Sequence, residues 1–120
     1  MKETHLYKEN ELEIQLRNGH FVLQTQKQLI KDFAKFNLFF PETFEHAPQM
    51  KEHLEEHIAY LLLDLLHEGE RRLLQLLYTI DIPEKEFLQL VTSKEFLPTL
   101  SKKILLREAY KVFLRSKFSS

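Results

Sequence analysis

The chain has 120 residues, of which 43% are hydrophobic and 12% aromatic, with two glycines and four prolines. That length suits a single domain of roughly 100–200 residues, and the apolar content offsets the entropy of ordering the chain, which excludes disorder. Seventeen Lys and Arg against eighteen Asp and Glu leave a formal net charge of −1, which signals neither bulk attraction to nucleic acid nor a polybasic membrane anchor.

The absence of cysteine excludes disulfides, thiolate metal sites and a cysteine nucleophile, and suits a reducing cytoplasmic setting. The opening MKETHLYKENELEIQL lacks the uninterrupted apolar run of a secretory signal. The greasiest segment, Ile58 to Ile80, is broken by Asp64 and by the polar run from His67 to Arg72. It reads as core, not as a membrane span.

Residues 1–10 are polar and are expected to be frayed. Leu12, Ile14 and Leu16 then alternate with Glu13, Gln15 and Arg17, the period of a strand. Asn18-Gly19 follows, a dipeptide suited to a two-residue turn with positive φ, and Phe21, Leu23 and Thr25 resume the alternation. Pairing across that turn sets Leu16 against Phe21, Ile14 against Leu23 and Leu12 against Thr25, which predicts a β-hairpin over residues 11–25. The competing reading is a helix ending at Asn18, with Gly19 as its terminal glycine, and a second helix from about His20.

Thr25-Gln26-Lys27-Gln28 has the form of a capping box, and Leu29, Ile30, Phe33 and Phe36 recur beyond it at helical spacing until Asn37 and Pro41. Phe36, Leu38, Phe39, Phe40 and Phe44 crowd the next loop and are expected to plug one end of the core. From Pro48 to His67 the residues Met50, Leu54, Ile58, Leu61, Leu62 and Leu65 predict the longest helix. Gly69 ends it, and Arg71–Ile80 reads as a second greasy helix.

Asp81 is placed to cap a helix that has Pro83 and Glu84 in its first turn and Phe87, Leu88, Leu90 and Val91 inward. Ser93 and Pro98 punctuate a connector. The last helix is expected from Ser101 to about Lys117, burying Leu105, Leu106, Ala109, Tyr110, Val112 and Phe113, with a flexible tail at 117–120. The predicted architecture is therefore a mainly α, single-domain helical bundle of about five helices over residues 1–120, with an N-terminal hairpin packed on it.

Three features bear on chemistry. His53-Leu54-Glu55-Glu56-His57 resembles the H-x-x-E-H signature of the inverted zinc metallopeptidases. On a helix, His53 and His57 lie one turn apart on the same face, as two imidazoles sharing a zinc ion require. The resemblance covers five residues, and it implies a third carboxylate ligand for which nothing selects between Glu84 and Glu86. Solvated histidines on an acidic face account for the same residues, and acidic neighbours favour protonation of His53 and His57. The row extends through Tyr60 and Asp64 to His67, where Asp64 reads as a partly buried acid held by Tyr60 or a basic residue.

Charge is also polarised. Residues 42–70 carry eight acids and one base, whereas 101–120 carry six bases and one acid. Within the latter, Lys103, Arg107, Lys111 and Arg115 advance by four residues and form a basic stripe. Pairing with the acidic helix explains it, and nucleic-acid phosphates are the alternative, although no interleaved aromatic or recognition turn accompanies it.

The third feature is apolar: Leu73, Leu76, Leu77 and Ile80 offer a helix face to a partner or a second copy, as would the outer edge of a hairpin. With no phosphate-binding glycine loop and no nucleophile elbow, the expectation is a non-catalytic cytoplasmic interaction or regulatory module that self-associates, with no cofactor. A metal-binding, hydrolytic protein using His53 and His57 is the first alternative, and nucleic-acid binding by the last helix the second.

Overall fold

The computed structural model describes residues 2–118, and side chains over residues 9–117. Six α-helices and one 3-10 turn follow in order: α1 Lys2–Gln15, α2 Gly19–Ala34, the 3-10 turn Glu42–Glu45, α3 Lys51–Glu68, α4 Glu70–Ile80, α5 Glu84–Leu90 and α6 Phe96–Phe118. Among the described residues there is no strand, and no helix is long and apolar enough to cross a membrane. The mainly helical expectation holds, with six helices where about five were read. Residues 119 and 120 of the expected tail lie outside the described residues.

The hairpin over residues 11–25 is not formed; its residues belong to α1 and α2. A strand would put Leu12, Ile14 and Leu16 on one face. In the helix Leu12 and Leu16, one turn apart, are buried, while Ile14 is 62% exposed. Asn18 is extended, and its side chain accepts from the Phe21 N–H at 3.1 Å, so the Asn-Gly pair opens a helix instead of closing a hairpin. Val22, Thr25, Gln26, Leu29 and Phe33 continue one buried helical face. The period-two run was too short to outweigh that longer helical repeat. The competing two-helix reading is the one the fold adopts, with Gly19 in the first turn of α2 instead of at the end of α1.

Other boundaries shift for local reasons. The Thr25–Gln28 segment lies inside α2, where the Thr25 hydroxyl donates to the Phe21 carbonyl at 3.0 Å. Asp81 adopts φ 77° and ends α4 instead of capping α5, which starts after Pro83. Pro98 sits in the first turn of α6, where its missing N–H costs no helical bond. That lets the helix start at Phe96, five residues before Ser101. Gly69 joins α3 to α4 at φ 137°, a conformation open mainly to glycine.

Helix α6 is the common packing partner of α1, α2, α3, α4 and α5. Its buried residues Leu100, Ile104, Leu105, Leu106 and Ala109 meet Leu54, Ile58, Leu61, Leu62 and Leu65 of α3 and Leu29 and Phe33 of α2 in one continuous core. The loop after α2 plugs the core with Phe36, Leu38 and Phe44, all buried, whereas Phe39 points outward at 66% exposure. Gln26 pins that loop. Its buried amide donates to the carbonyls of Phe44 at 2.8 Å and Ala47 at 3.0 Å and accepts from the Gln49 N–H at 2.7 Å, so this interior polar side chain is well satisfied.

Candidate functional site

The plugged loop fixes the surroundings of the paired histidines. Leu54, Ile58, Leu61, Leu62 and Leu65 turn inward on α3, so the opposite side of that helix turns outward. His53, Tyr60, Asp64 and His67 are exposed and His57 is half-buried. Rings pack along this edge: Phe33 against Phe40 at 5.1 Å between centroids, Phe40 stacked on Phe44 at 5.8 Å, Phe44 against His57 at 5.2 Å, and His57 against Tyr60 at 6.2 Å. A row of rings therefore leads from the core to the outer face of α3.

His53 and His57 do lie on one side of α3, with ring centroids 6.4 Å apart. His53 Nδ1 is engaged with Gln49 Oε1 at 3.0 Å, and Phe44 packs against both rings. Among the described residues no group of three or more His, Asp or Glu is arranged to hold a metal ion. The candidate third ligand Glu86 is held by Lys103 at 2.9 Å.

The expected protonation of His57 is reversed. Burial, and then the charge of His53, hold its imidazole below the ordinary value. Asp64 is exposed on the helix surface, so it is not the partly buried acid expected, because the helix turns it away from Leu61 and Leu65.

The basic stripe is taken up within the fold, though not by α3. Lys103 pairs with Glu86 of α5, and Arg107 pairs with Asp81 at 2.6 Å. Lys111 reaches Asp32 of α2 at 3.1 Å, and Arg115 donates to Gln28 Oε1 at 2.7 Å. Helix pairing explains these residues, with partners that come from α2, the α4–α5 connector and α5.

Leu73, Leu76, Leu77 and Ile80 are all buried in the core, so the apolar face read as a docking surface is the inner face of α4. It packs against α3, α2 and α6, and the bundle itself is the partner.

Exposed apolar side chains instead sit elsewhere. On α3, Tyr60 is 65% and Leu63 44% accessible. Glu52, Glu56 and Asp64 share that outer surface, and none forms an ion pair with a described residue. By contrast, Glu55 is paired with Lys51 at 3.3 Å and Glu68 with Arg72 at 3.5 Å. On α2, Lys27 and Lys31 are exposed, also without an ion pair to a described residue.

Sequence alone did not place Gln26, Gln28, Asp32 and Glu108 in the interior, where all four are buried. Their helical positions carried the signal. Glu108 falls three residues after Leu105 and four before Val112, and Asp32 three after Leu29, on faces otherwise apolar. Comparison with protein-family models, curated proteins and solved structures gives no match to this chain.

Proposed function

We propose that the chain is a non-catalytic cytoplasmic interaction module that self-associates, with the outer face of α3 as its contact surface. The observation that carries this reading is the exposed Tyr60–Leu63 pair, one helical turn apart and set among the unpaired acids Glu52, Glu56 and Asp64. An accessible aromatic beside an aliphatic, rimmed by polar groups, has the composition of an interface core. The tilted contact of His57 with Tyr60 restricts that ring, which lowers the entropy cost of docking it.

A second copy suits the charge layout. The exposed Lys27 and Lys31 of α2 complement the acids of α3, and a net charge of −1 does not hold two copies apart. Reciprocal pairing of the two faces about a two-fold axis gives a dimer, whereas a head-to-tail contact closes as a ring. The cysteine-free composition supports the cytoplasmic part of the proposal.

Light scattering across a concentration series tests it. Tyr60→Ser with Leu63→Ser, and separately Lys27→Glu with Lys31→Glu, are expected to shift an assembled wild type to monomer. A wild type that stays monomeric up to high micromolar concentration overturns the reading, as does an assembly that neither pair of changes weakens.

A further inference from the structure

The α2–α6 joint contains two carboxyl groups that the interaction surface does not use. Glu108 of α6 is completely buried, and the Asp32 side chain of α2 is 4% accessible. Both Glu108 oxygens are buried without a hydrogen-bond partner, so an ionised Glu108 would be an interior charge with no donor to satisfy it, because carboxylates only accept.

One ammonium serves both. Lys111 Nζ donates to Asp32 Oδ2 at 3.1 Å and stands 3.2 Å from Glu108 Oε1, without hydrogen-bond alignment to the latter. The other polar groups on the α2 side are Gln28, which donates to Asp32 Oδ2 at 3.1 Å, and the half-exposed Lys35, 3.5 Å from Oδ1. Arg115 of α6 is spent on Gln28.

Ion pairs from other elements that pack on α6 reach different residues of that helix. Glu13 of α1 pairs with Lys102, Asp81 after α4 with Arg107, and Glu86 of α5 with Lys103. The buried face of α3 is apolar. Two ionised carboxylates beside one partly exposed ammonium would leave a negative charge uncompensated in the interior, where its desolvation is costly.

We propose that Asp32 and Glu108 share one retained proton, and that this proton latches α2 to α6, so that its loss at alkaline pH loosens the joint. The proton resides on the more buried Glu108, which donates to the Asp32 carboxylate. Asp32 then balances Lys111 and accepts from Gln28 as well. Burial pushes Glu108 from 4.5 up to about 9, reinforced by the hydrogen bond to Asp32 and by its charge, while Lys111 acts in the opposite direction. For Asp32, burial works upward, but the hydrogen bonds from Glu108, Gln28 and Lys111 outweigh it and hold the group below its ordinary value.

The linkage has a definite sign. Above about pH 4.5 the unfolded Glu108 has lost its proton, whereas the folded one keeps it to about pH 9. The unfolded state therefore binds fewer protons in this window, and stability falls as pH rises, by up to tenfold in the folding equilibrium constant per pH unit.

Glu108→Gln keeps a donor toward Asp32 and removes the titration. Denaturant unfolding at a series of pH values from 5 to about 9 is expected to show this variant gaining on the wild type with each unit, and parallel profiles overturn the shared proton. Carboxyl-carbon NMR of the wild type gives the same answer without relying on the variant. An inflection for Glu108 near pH 9 is expected, and one near 4.5 overturns the proposal. For the latch itself, the α2 amides above pH 9 should exchange faster in the wild type than in Glu108→Gln at the same pH. Equal rates would show that the proton does not hold the joint.

Discussion

Gln26 Nε2 donates to the Phe44 carbonyl at 2.8 Å from a side chain that is entirely buried. This bond, with those to Ala47 and Gln49, fastens the aromatic loop to α2 and so places Phe44 against His53 and His57. Gln26→Leu keeps the volume but leaves two carbonyls and one N–H without their partner. A loss of about 1–3 kcal/mol in urea unfolding is expected, together with altered ring shifts at His57. Ring shifts that stay unchanged would mean that aromatic packing alone holds the loop.

Lys111 is the only cation in direct reach of both Asp32 and Glu108 among the described residues. Lys111→Met retains the packing of the stem and removes the charge, leaving the nearly inaccessible Asp32 carboxylate with Gln28 and the outlying Lys35. Breaking a buried pair from one side is expected to cost about 3 kcal/mol near pH 7, read from denaturant midpoints. A cost below about 1 kcal/mol would assign the stabilisation of Asp32 to Gln28 and Lys35.

His57 titrates below its ordinary value of 6.5 because of burial first and the charge of His53 second. The unfolded chain therefore takes up this proton before the folded one, and the contribution of His57 to stability falls as pH drops from about 6.5 through the lower folded value. His53→Ala should move the His57 titration upward in proton NMR without restoring it fully, because burial remains. His57→Phe should keep the contact with Phe40 and Phe44 and flatten the acid limb of the stability profile. An unchanged limb would assign acid sensitivity to other groups.

The two glycines separate backbone strain from side-chain space. A Cβ at Gly69 would meet nothing within 4 Å, yet φ is 137°, so Gly69→Ala is expected to destabilise by about 1–3 kcal/mol through the backbone alone. Gly19 has no such φ, and a Cβ there would make ordinary contact with Pro48 at 3.5 Å. Gly19→Ala should stabilise by about 0.4–1 kcal/mol, chiefly by restricting the unfolded chain. Thermal melts of both variants distinguish these outcomes, and equal effects would place the cost of the Gly69 change elsewhere.

The bundle was legible wherever an apolar repeat ran for several turns. Leu54, Ile58, Leu61, Leu62 and Leu65 are spaced for one helix face and all are buried on it. The same legibility misled at α4, where Leu73, Leu76, Leu77 and Ile80 read as a face on offer. Periodicity states that a face needs cover but not what covers it, and here the bundle does. At residues 11–25 a short alternation matched both a strand and a helix. Only the burial of Leu12 and Leu16, with Ile14 left out, distinguishes them.

The candidate surface was legible only in part. His53, Tyr60, Asp64 and His67 were grouped correctly on α3, yet their exposure depends on which side of that helix α6 and α4 occupy. The exposure of Leu63 had no signal distinct from the buried Leu61 and Leu62 beside it. The basic stripe could be read as a row, but each of its partners lies on another segment far along the chain.

Composition and periodicity by themselves determined a cysteine-free, mainly helical chain and the inward face of each long helix, because those properties follow from the local geometry of 3.6 residues per turn. Tertiary structure alone decided that Asp32 and Glu108 meet around Lys111, that the α4 leucines are core, and that Tyr60 and Leu63 remain exposed. These outcomes depend on which helices become neighbours, and that choice is made by long-range packing and by the cost of burying charge without a partner.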